Sequence, residues 1–254
     1  MTLEVVGGAA HALALDLWLW PLDERGQAQH ASLRAHLSEE ERSRAAAFFR
    51  PEHRRRYEIA RGRMREILAG YLGCAPRAVP LAAGLHGKPA LTEGAGGAGP
   101  AFNLSHAGGW AALVAGPHGL ALGIDIEPHR AVEPALAERF FSAAEQQALA
   151  ALPPEEWRAG FFNAWTRKEA LLKALGAGLT RPLDSFDVTL SPGSPARLER
   201  LSGALAERWQ LLPLDLGPGF PGCIAVRHAG EITLTLREGA LPLPPLKPQP
   251  RPEA

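Results

Sequence analysis

Asp125 and Glu127 stand two residues apart in Gly123-Ile124-Asp125-Ile126-Glu127-Pro128. In a strand that spacing puts both carboxylates on one face and Ile124 and Ile126 on the other, buried one. Adjacent carboxylates repel, and a hard cation such as Mg²⁺ relieves the repulsion while leaving room for phosphate oxygens. The competing reading is a half-exposed strand that stops at Pro128. On this segment alone both stay open. A second group lies in Trp165-Thr166-Arg167-Lys168-Glu169-Ala170-Leu171-Leu172-Lys173. On a helix, Trp157, Phe161, Trp165, Lys168 and Leu172 line one face, and Phe162, Thr166, Glu169 and Lys173 another. Glu169 and Lys173 are i, i+4 neighbours, and as a surface pair would contribute only ~0.2–0.5 kcal/mol. Beside a metal, the glutamate could instead accept a proton and the lysine contact phosphate.

Other polar groups are weaker signals taken singly. His86-Gly87-Lys88-Pro89 reads as a turn that displays Lys88. Phe102-Asn103-Leu104-Ser105-His106 runs toward Gly108-Gly109. Adjacent Ser105 and His106 are badly placed to act as nucleophile and base for each other, and no G-x-S-x-G surrounds the serine, so a serine hydrolase is disfavoured. A hydroxyl and an imidazole before a glycine pair could bind phosphate. Nine arginines between Arg42 and Arg65 form either a phosphate-binding patch or a solvated helix face. Gly94, Gly96 and Gly99 match G-x-G-x-x-G formally, but Pro100 follows at once and no helix opens there, so dinucleotide binding is disfavoured.

The elements that must position these groups can be read in outline. Leu13 to Trp20 alternates large residues on both faces, which predicts a strand buried on both sides. Ser38 with Glu41, and Ser142 with Glu145, are capping boxes that open helices. Pro51 suits the first turn of a helix that runs to about Tyr71 and stops near Gly73. A long helix follows Pro153-Pro154 and ends near Gly176. Trp110–Ala115 and Leu120–Ile126, separated by Gly116-Pro117-His118-Gly119, read as a hairpin. Later strands are expected at 186–190, 209–212, 222–227 and 232–236. Strands and helices without regular β-α-β units indicate an α+β fold.

The bulk numbers set limits. With 27 basic and 27 acidic residues the net charge gives no reason to expect a nucleic-acid partner. At 254 residues with 46% hydrophobic content the chain can bury a sizeable core. Cys74 and Cys223 lack metal-ligand spacing, and a disulfide framework is not expected. No segment reads as a signal peptide or a membrane span, so a cytoplasmic protein is expected.

Order and combination add what single motifs lack. Gly87-Lys88-Pro89, Phe102-Asn103-Leu104-Ser105-His106, Gly123-Ile124-Asp125-Ile126-Glu127, Arg139-Phe140-Phe141-Ser142-x-x-Glu145 and Trp165-x-x-Lys168-Glu169-Ala170-x-x-Lys173 follow one another. The set resembles the 4′-phosphopantetheinyl transferase family, in its long, surfactin-synthetase-activating type, over about Leu37 to Phe186. The resemblance implies two similar α+β halves related by a pseudo-two-fold axis, with coenzyme A in the cleft between them. The halves would be residues 1–118 and 119–240, the second carrying the metal site, with a Pro-rich tail over 241–254. By motif, Asp125, Glu127 and Glu169 hold the metal, magnesium with manganese as the alternative. Glu169 and Lys173 act in catalysis. Arg44, Arg56, Lys88, Pro89, Ser105 and His106 bind coenzyme A, with Arg44 and His106 at its 3′-phosphate. Tyr57 departs from relatives that carry a small hydroxyl residue there. The partners implied are coenzyme A and an acyl or peptidyl carrier protein, the enzyme acting as a monomer. Another Mg²⁺-dependent phosphate-handling enzyme and a non-catalytic coenzyme A-binding protein are the alternatives.

Overall fold

The computed structural model describes residues 2–4, 12–23, 26–83, 88–92, 99–176, 181–201 and 208–237. The first part of the chain forms β1 (Thr2–Glu4), β2 (Leu13–Pro21), α1 (Gln27–Ala35), α2 (Glu39–Ala46), α3 (Pro51–Leu72), β3 (Leu81–Ala83), β4 (Pro89–Leu91), β5 (Ala101–Ala107) and β6 (Trp110–Gly116). The second part forms β7 (Leu122–Ile126), α4 (Ala135–Phe140), α5 (Ala143–Ala150), α6 (Pro154–Leu175), β8 (Phe186–Val188), β9 (Leu198–Leu201), β10 (Trp209–Asp215), β11 (Pro221–Arg227) and β12 (Ile232–Leu236).

Two sheets pack face to face between two long helices. The larger has the order β1-β12-β2-β6-β5 and the smaller β10-β11-β7. Their period-two patterns divide the core. Leu15, Leu17 and Leu19 of β2 and Ala112 and Val114 of β6 meet Leu122, Ile124 and Ile126 of β7 and Ile224 and Val226 of β11 between the sheets. The opposite face of β6, Ala111, Leu113 and Ala115, packs with Trp20 on Ile59, Met64 and Leu68 of α3. The opposite face of β11, Cys223 and Ala225, packs on Phe161, Phe162 and Leu171 of α6. The fold is therefore α+β, in four layers.

The two long helices are set up alike. Each has 22 residues, opens on a proline in its first turn and ends at a left-handed glycine, Gly73 or Gly176. Each is preceded by a capping-box helix, with Ser38–Glu41 or Ser142–Glu145 reciprocally bonded. In each, the capping glutamate also reaches a buried cation of the long helix: Glu41 to Arg65 at 2.6 Å and Glu145 to Lys168 at 2.7 Å.

One expected pairing does not form. β6 already has partners on both edges, β2 and β5, while β7 pairs with β11. The segment from Gly116 to Gly119 carries the chain from one sheet to the other instead of turning a hairpin. β12 crosses back and pairs parallel with β2, Ile232 to Leu13 through Leu236 to Leu17. Helix α1, the short β3–β4 pair and β9 had no clear sequence signal. The glycine-rich run from Glu93, the His86-Gly87 dipeptide and the Pro-rich segment after Leu241 lie wholly or mostly outside the described residues.

Candidate active site

Gly123 explains how α6 comes to lie on β7. A Cβ there would sit 2.1 Å from the Ala170 carbonyl oxygen and 2.5 Å from the Ala174 nitrogen, so only glycine allows this approach. With Ile124 and Ile126 turned to the sheet interface, the alternate face of β7 presents Asp125 directly to α6. Asp125 is buried, which rules out the half-exposed strand.

Lys173, on the last turn of α6, does not serve as a surface partner of Glu169. Its ammonium donates to Asp125 Oδ1 at 2.7 Å, to Ser105 Oγ at 3.1 Å and to the Ile124 carbonyl at 3.1 Å. Ser105 in turn donates to Asp125 Oδ1 at 2.9 Å. Asn103, two residues earlier on the same face of β5, accepts from the Ile124 N–H at 2.8 Å and fixes the spacing of β5 and β7.

Asp125 Oδ2 is buried and has no hydrogen-bond partner. Burial, then the charge of Asp125, pushes the carboxyls of Glu127 and Glu169 above their usual range; Arg130 and Lys173 pull Glu127 back, and Lys173 pulls Glu169. An orphaned carboxylate oxygen beside two carboxyls that resist ionising is a donor set a hard divalent cation would satisfy. Among the described residues no three acidic, histidine or cysteine side chains already form a closed metal cage, and Lys173 holds Asp125 in this arrangement. Asp125, Glu127 and Glu169 have donor chemistry suited to a hard cation, but in this arrangement they are not gathered around one point.

The β5–β6 hairpin links this cluster to a cleft. Gly108 and Gly109 both have positive φ, 58° and 81°, as a two-residue turn of this hand requires. Side chains would also collide there: a Cβ on Gly108 would lie 2.9 Å from Pro128, and one on Gly109 3.0 Å from Asp23 Oδ2. Because strand neighbours point to opposite faces, Ser105 goes to Asp125 while His106 goes to the cleft. That cleft, of about 310 Å³, is lined by His106, Gly108, Gly109, Phe48, His53, Arg56 and Tyr57, among others. His106 is exposed at the mouth of the cleft, yet the protein packed around it and the charge of Lys173 hold its imidazole below the usual range. Arg56 makes a two-point bond to Asp23, 2.9 Å at each contact. Arg44, exposed on α2, and Arg61 lie over the Tyr57 ring at 6.0 Å and 5.6 Å. Tyr57, which lines the cleft, thus carries two arginines on its ring, while the arginine that lines the cleft itself is Arg56.

The sequence reading had Lys88 displayed by a turn, but it points inward. It donates to the Lys173 carbonyl at 2.7 Å and the Leu122 carbonyl at 3.2 Å, capping the end of α6. Burial, helped by Lys173, brings its pKa down to about 8. Pro89 opens β4 beside it. The structure thus brings Asp125, Lys173 and Ser105 into direct contact, keeps Glu127 and Glu169 close enough to be felt electrostatically, joins Lys88 to them through backbone, and puts His106 and Arg56 on the cleft. Asp23, Phe48, His53 and Arg61 were missed. Arg61 alone had a local signal, its i, i+4 spacing from Tyr57.

Comparison with known proteins identifies the family. A model of the 4′-phosphopantetheinyl transferase superfamily matches residues 121–226, and one of the 4′-phosphopantetheinyl transferase N-terminal region matches residues 24–118. The 4′-phosphopantetheinyl transferase HetI of Nostoc sp. is 41% identical over 216 residues, 84% of this chain and 88% of that one. A 4′-phosphopantetheinyl transferase of Bacillus pumilus is 44% identical over 97 residues, 38% of this chain and 41% of that one. The 4′-phosphopantetheinyl transferase Sfp of Bacillus subtilis is 27% identical over 173 residues, 68% and 75% of the two chains. With most of its length aligned to HetI, this chain belongs to the 4′-phosphopantetheinyl transferase family.

Proposed function

We propose that this protein transfers the 4′-phosphopantetheine arm of coenzyme A to a serine of an apo acyl or peptidyl carrier protein. The serine oxygen attacks the β-phosphorus of the coenzyme A pyrophosphate, the phosphoanhydride bond breaks, and 3′,5′-adenosine bisphosphate leaves. The observation that carries this reading is the Lys173–Asp125–Ser105 contact, with an orphaned carboxylate oxygen, next to an arginine- and histidine-lined cleft.

The roles proposed for each residue follow the motif resemblance. Arg44, Arg56 and His106 take the 3′-phosphate, with Lys88 and Ser105 toward the pyrophosphate and Pro89 shaping the turn. Asp125, Glu127 and Glu169 would hold the divalent cation, magnesium or manganese, which supplies Lewis-acid neutralisation of the pyrophosphate when bound. Lys173 adds a fixed positive charge where negative charge grows as the bond breaks. Glu169 is our choice for the group that accepts the serine proton, directly or through water. Among the described residues no helix is long and apolar enough to cross a membrane. Both described cysteines are free, which supports a reducing, cytoplasmic setting. Both walls of the site come from one chain, which supports a monomer.

The test is mass spectrometry of a panel of apo-carrier proteins incubated with coenzyme A, Mg²⁺ and the protein. One carrier should gain the mass of one phosphopantetheinyl group, with release of adenosine bisphosphate. No gain on carriers from fatty acid, polyketide or peptide synthesis would remove the proposal.

A further inference from the structure

A second groove, of about 480 Å³, lies far from the chemistry described above, on the side of the large sheet that faces α3. Its walls include half-buried Trp18 of β2 and Ile67, Gly70 and exposed Tyr71 of α3, with Trp20 buried beneath them. The polar groups at its rim are bonded to one another. Asp16 accepts from the Tyr71 hydroxyl and, at 2.7 Å, from Arg237, and Glu66 accepts from Arg63 at 2.7 Å. The Asp16 contact helps push the Tyr71 phenol up to about 12, behind burial as the larger cause, so its ring stays a neutral wall. What remains on offer is mainly aromatic and apolar surface.

The strand order shows where the described chain ends relative to this groove. β12 covers the edge of β2 only as far as Leu17, where the Arg237 N–H donates to the Leu17 carbonyl at 3.0 Å. β2 continues past that point through Trp18 and Trp20. Because the two strands are parallel, β12 itself runs toward the Trp18 end of β2, and Arg237, the last described residue, lines the groove. The residues beyond lie outside the described structure, but their sequence is Leu241-Pro242-Leu243-Pro244-Pro245-Leu246-Lys247-Pro248-Gln249-Pro250-Arg251-Pro252. Proline-rich segments dock on grooves walled by tryptophan and tyrosine, because the left-handed extended form has little entropy to lose and its proline rings lie flat on aromatic faces. Residues 238–240 between Arg237 and Leu241 can span about 10 Å, enough to bring the first proline over the groove.

We propose that the groove walled by Trp18 and Tyr71 is the docking seat for the chain's own proline-rich segment, residues 241–252. The test uses the full chain and a synthetic peptide of residues 240–252. A variant with Pro242, Leu243, Pro245 and Leu246 all replaced by serine frees the seat. Calorimetry and tryptophan fluorescence should show the peptide binding this variant and binding the unaltered chain ~10-fold or more weakly, since a tethered segment competes at millimolar effective concentration. Gly70→Gln in the serine variant should abolish binding. A Cβ at Gly70 meets nothing within 4 Å, so this change fills the groove without crowding the helix, and an unchanged melting curve checks that. Trp18→Ala should act in the same direction. Failure of the serine variant to bind, equal binding by both chains, or binding that survives Gly70→Gln would each overturn the proposal. So would a dimer, seen by light scattering, that depends on the proline segment, because the occupant would then come from a second copy.

Discussion

Glu169→Gln and Lys173→Ala separate a catalytic pair from a surface one. As a surface pair their loss would cost a few tenths of a kcal/mol and leave the rate alone. Lys173 is instead bonded to Asp125 and Ser105, and Glu169 sits in the same carboxylate cluster. Each substitution should lower kcat by roughly 10²-fold or more, the usual loss for a positioned base or charge stabiliser. Steady-state kinetics with an apo-carrier checks this, and near-normal turnover in both variants would refute the site. Lys88 gives a pH signature. Its ammonium is held at about 8 by burial and by Lys173, and a bound phosphate favours the charged form. Coenzyme A affinity should therefore be full below about pH 8 and fall as the pH rises above it, with protons taken up on binding in that range. Lys88→Met should bind more weakly and lose the inflection. Calorimetry at pH 7 to 9, in buffers of different ionisation enthalpy, reads both.

Two helices carry the site, and each is held by a device that can be broken alone. Lys168, fully buried, is paired to Glu145 and donates to the carbonyls of Leu183 and Phe186 at 2.7 Å and 2.6 Å. Its neighbour in sequence, Glu169, lies near Asp125 and Lys173, so the motif Lys168-Glu169 is proposed to hold one structural and one functional residue. Lys168→Ala leaves the Glu145 charge buried without its cation and should destabilise the fold by ~3–5 kcal/mol, measured by urea unfolding. The matched pair Glu41–Arg65 predicts a similar loss for Arg65→Ala. Gly123→Ala tests the packing of α6 on β7. With its Cβ 2.1 Å from a backbone oxygen, the helix must move. The expected cost is ~1–3 kcal/mol of stability together with a fall in kcat, since α6 carries Glu169 and Lys173. A variant with unchanged melting and unchanged rate would show that the contact is not what sets the cluster.

The whole molecule closes the site by crossing chain segments between layers. β5 and β7 belong to different sheets, yet Ser105 meets Asp125 and Asn103 holds the Ile124 N–H across that junction. β12 returns from the second part of the chain to pair with β2. Because residues from both parts meet within one chain, the active species should be a monomer, and light scattering of the active fraction should show one. Activity confined to a larger assembly would contradict that. Metal removal acts at the same scale. Dialysis against EDTA should abolish transfer, and added Mg²⁺ should restore it. Asp125→Asn should need much more Mg²⁺ for half-maximal rate, because the buried orphan oxygen it alters is the one left free for a ligand. An unchanged Mg²⁺ requirement would place the metal elsewhere.

Local chemistry was enough to find much of this. Ser38 with Glu41 and Ser142 with Glu145 announce helices through bonds that span three residues, and Pro51, Pro154, Gly73 and Gly176 mark ends by backbone restriction alone. The alternation of Ile124, Asp125 and Ile126 set their faces correctly for the same reason. Partner choice was not legible, because it depends on which edges are already occupied. β6 and β7 looked like a hairpin until β2, β5 and β11 had taken their edges. Lys88 looked exposed until the end of α6 arrived to receive it, and Lys173 looked paired to Glu169 until Asp125 came within 2.7 Å. The two long helices share Ser-x-x-Glu, proline and glycine signals, but the buried cation each capping glutamate meets, arginine in one and lysine in the other, shows only once the helices pack. The sequence by itself determined the residue types and the local elements, whose forces act over a few bonds. Only the tertiary structure decided which charges meet, because that is settled by packing between segments far apart in the chain.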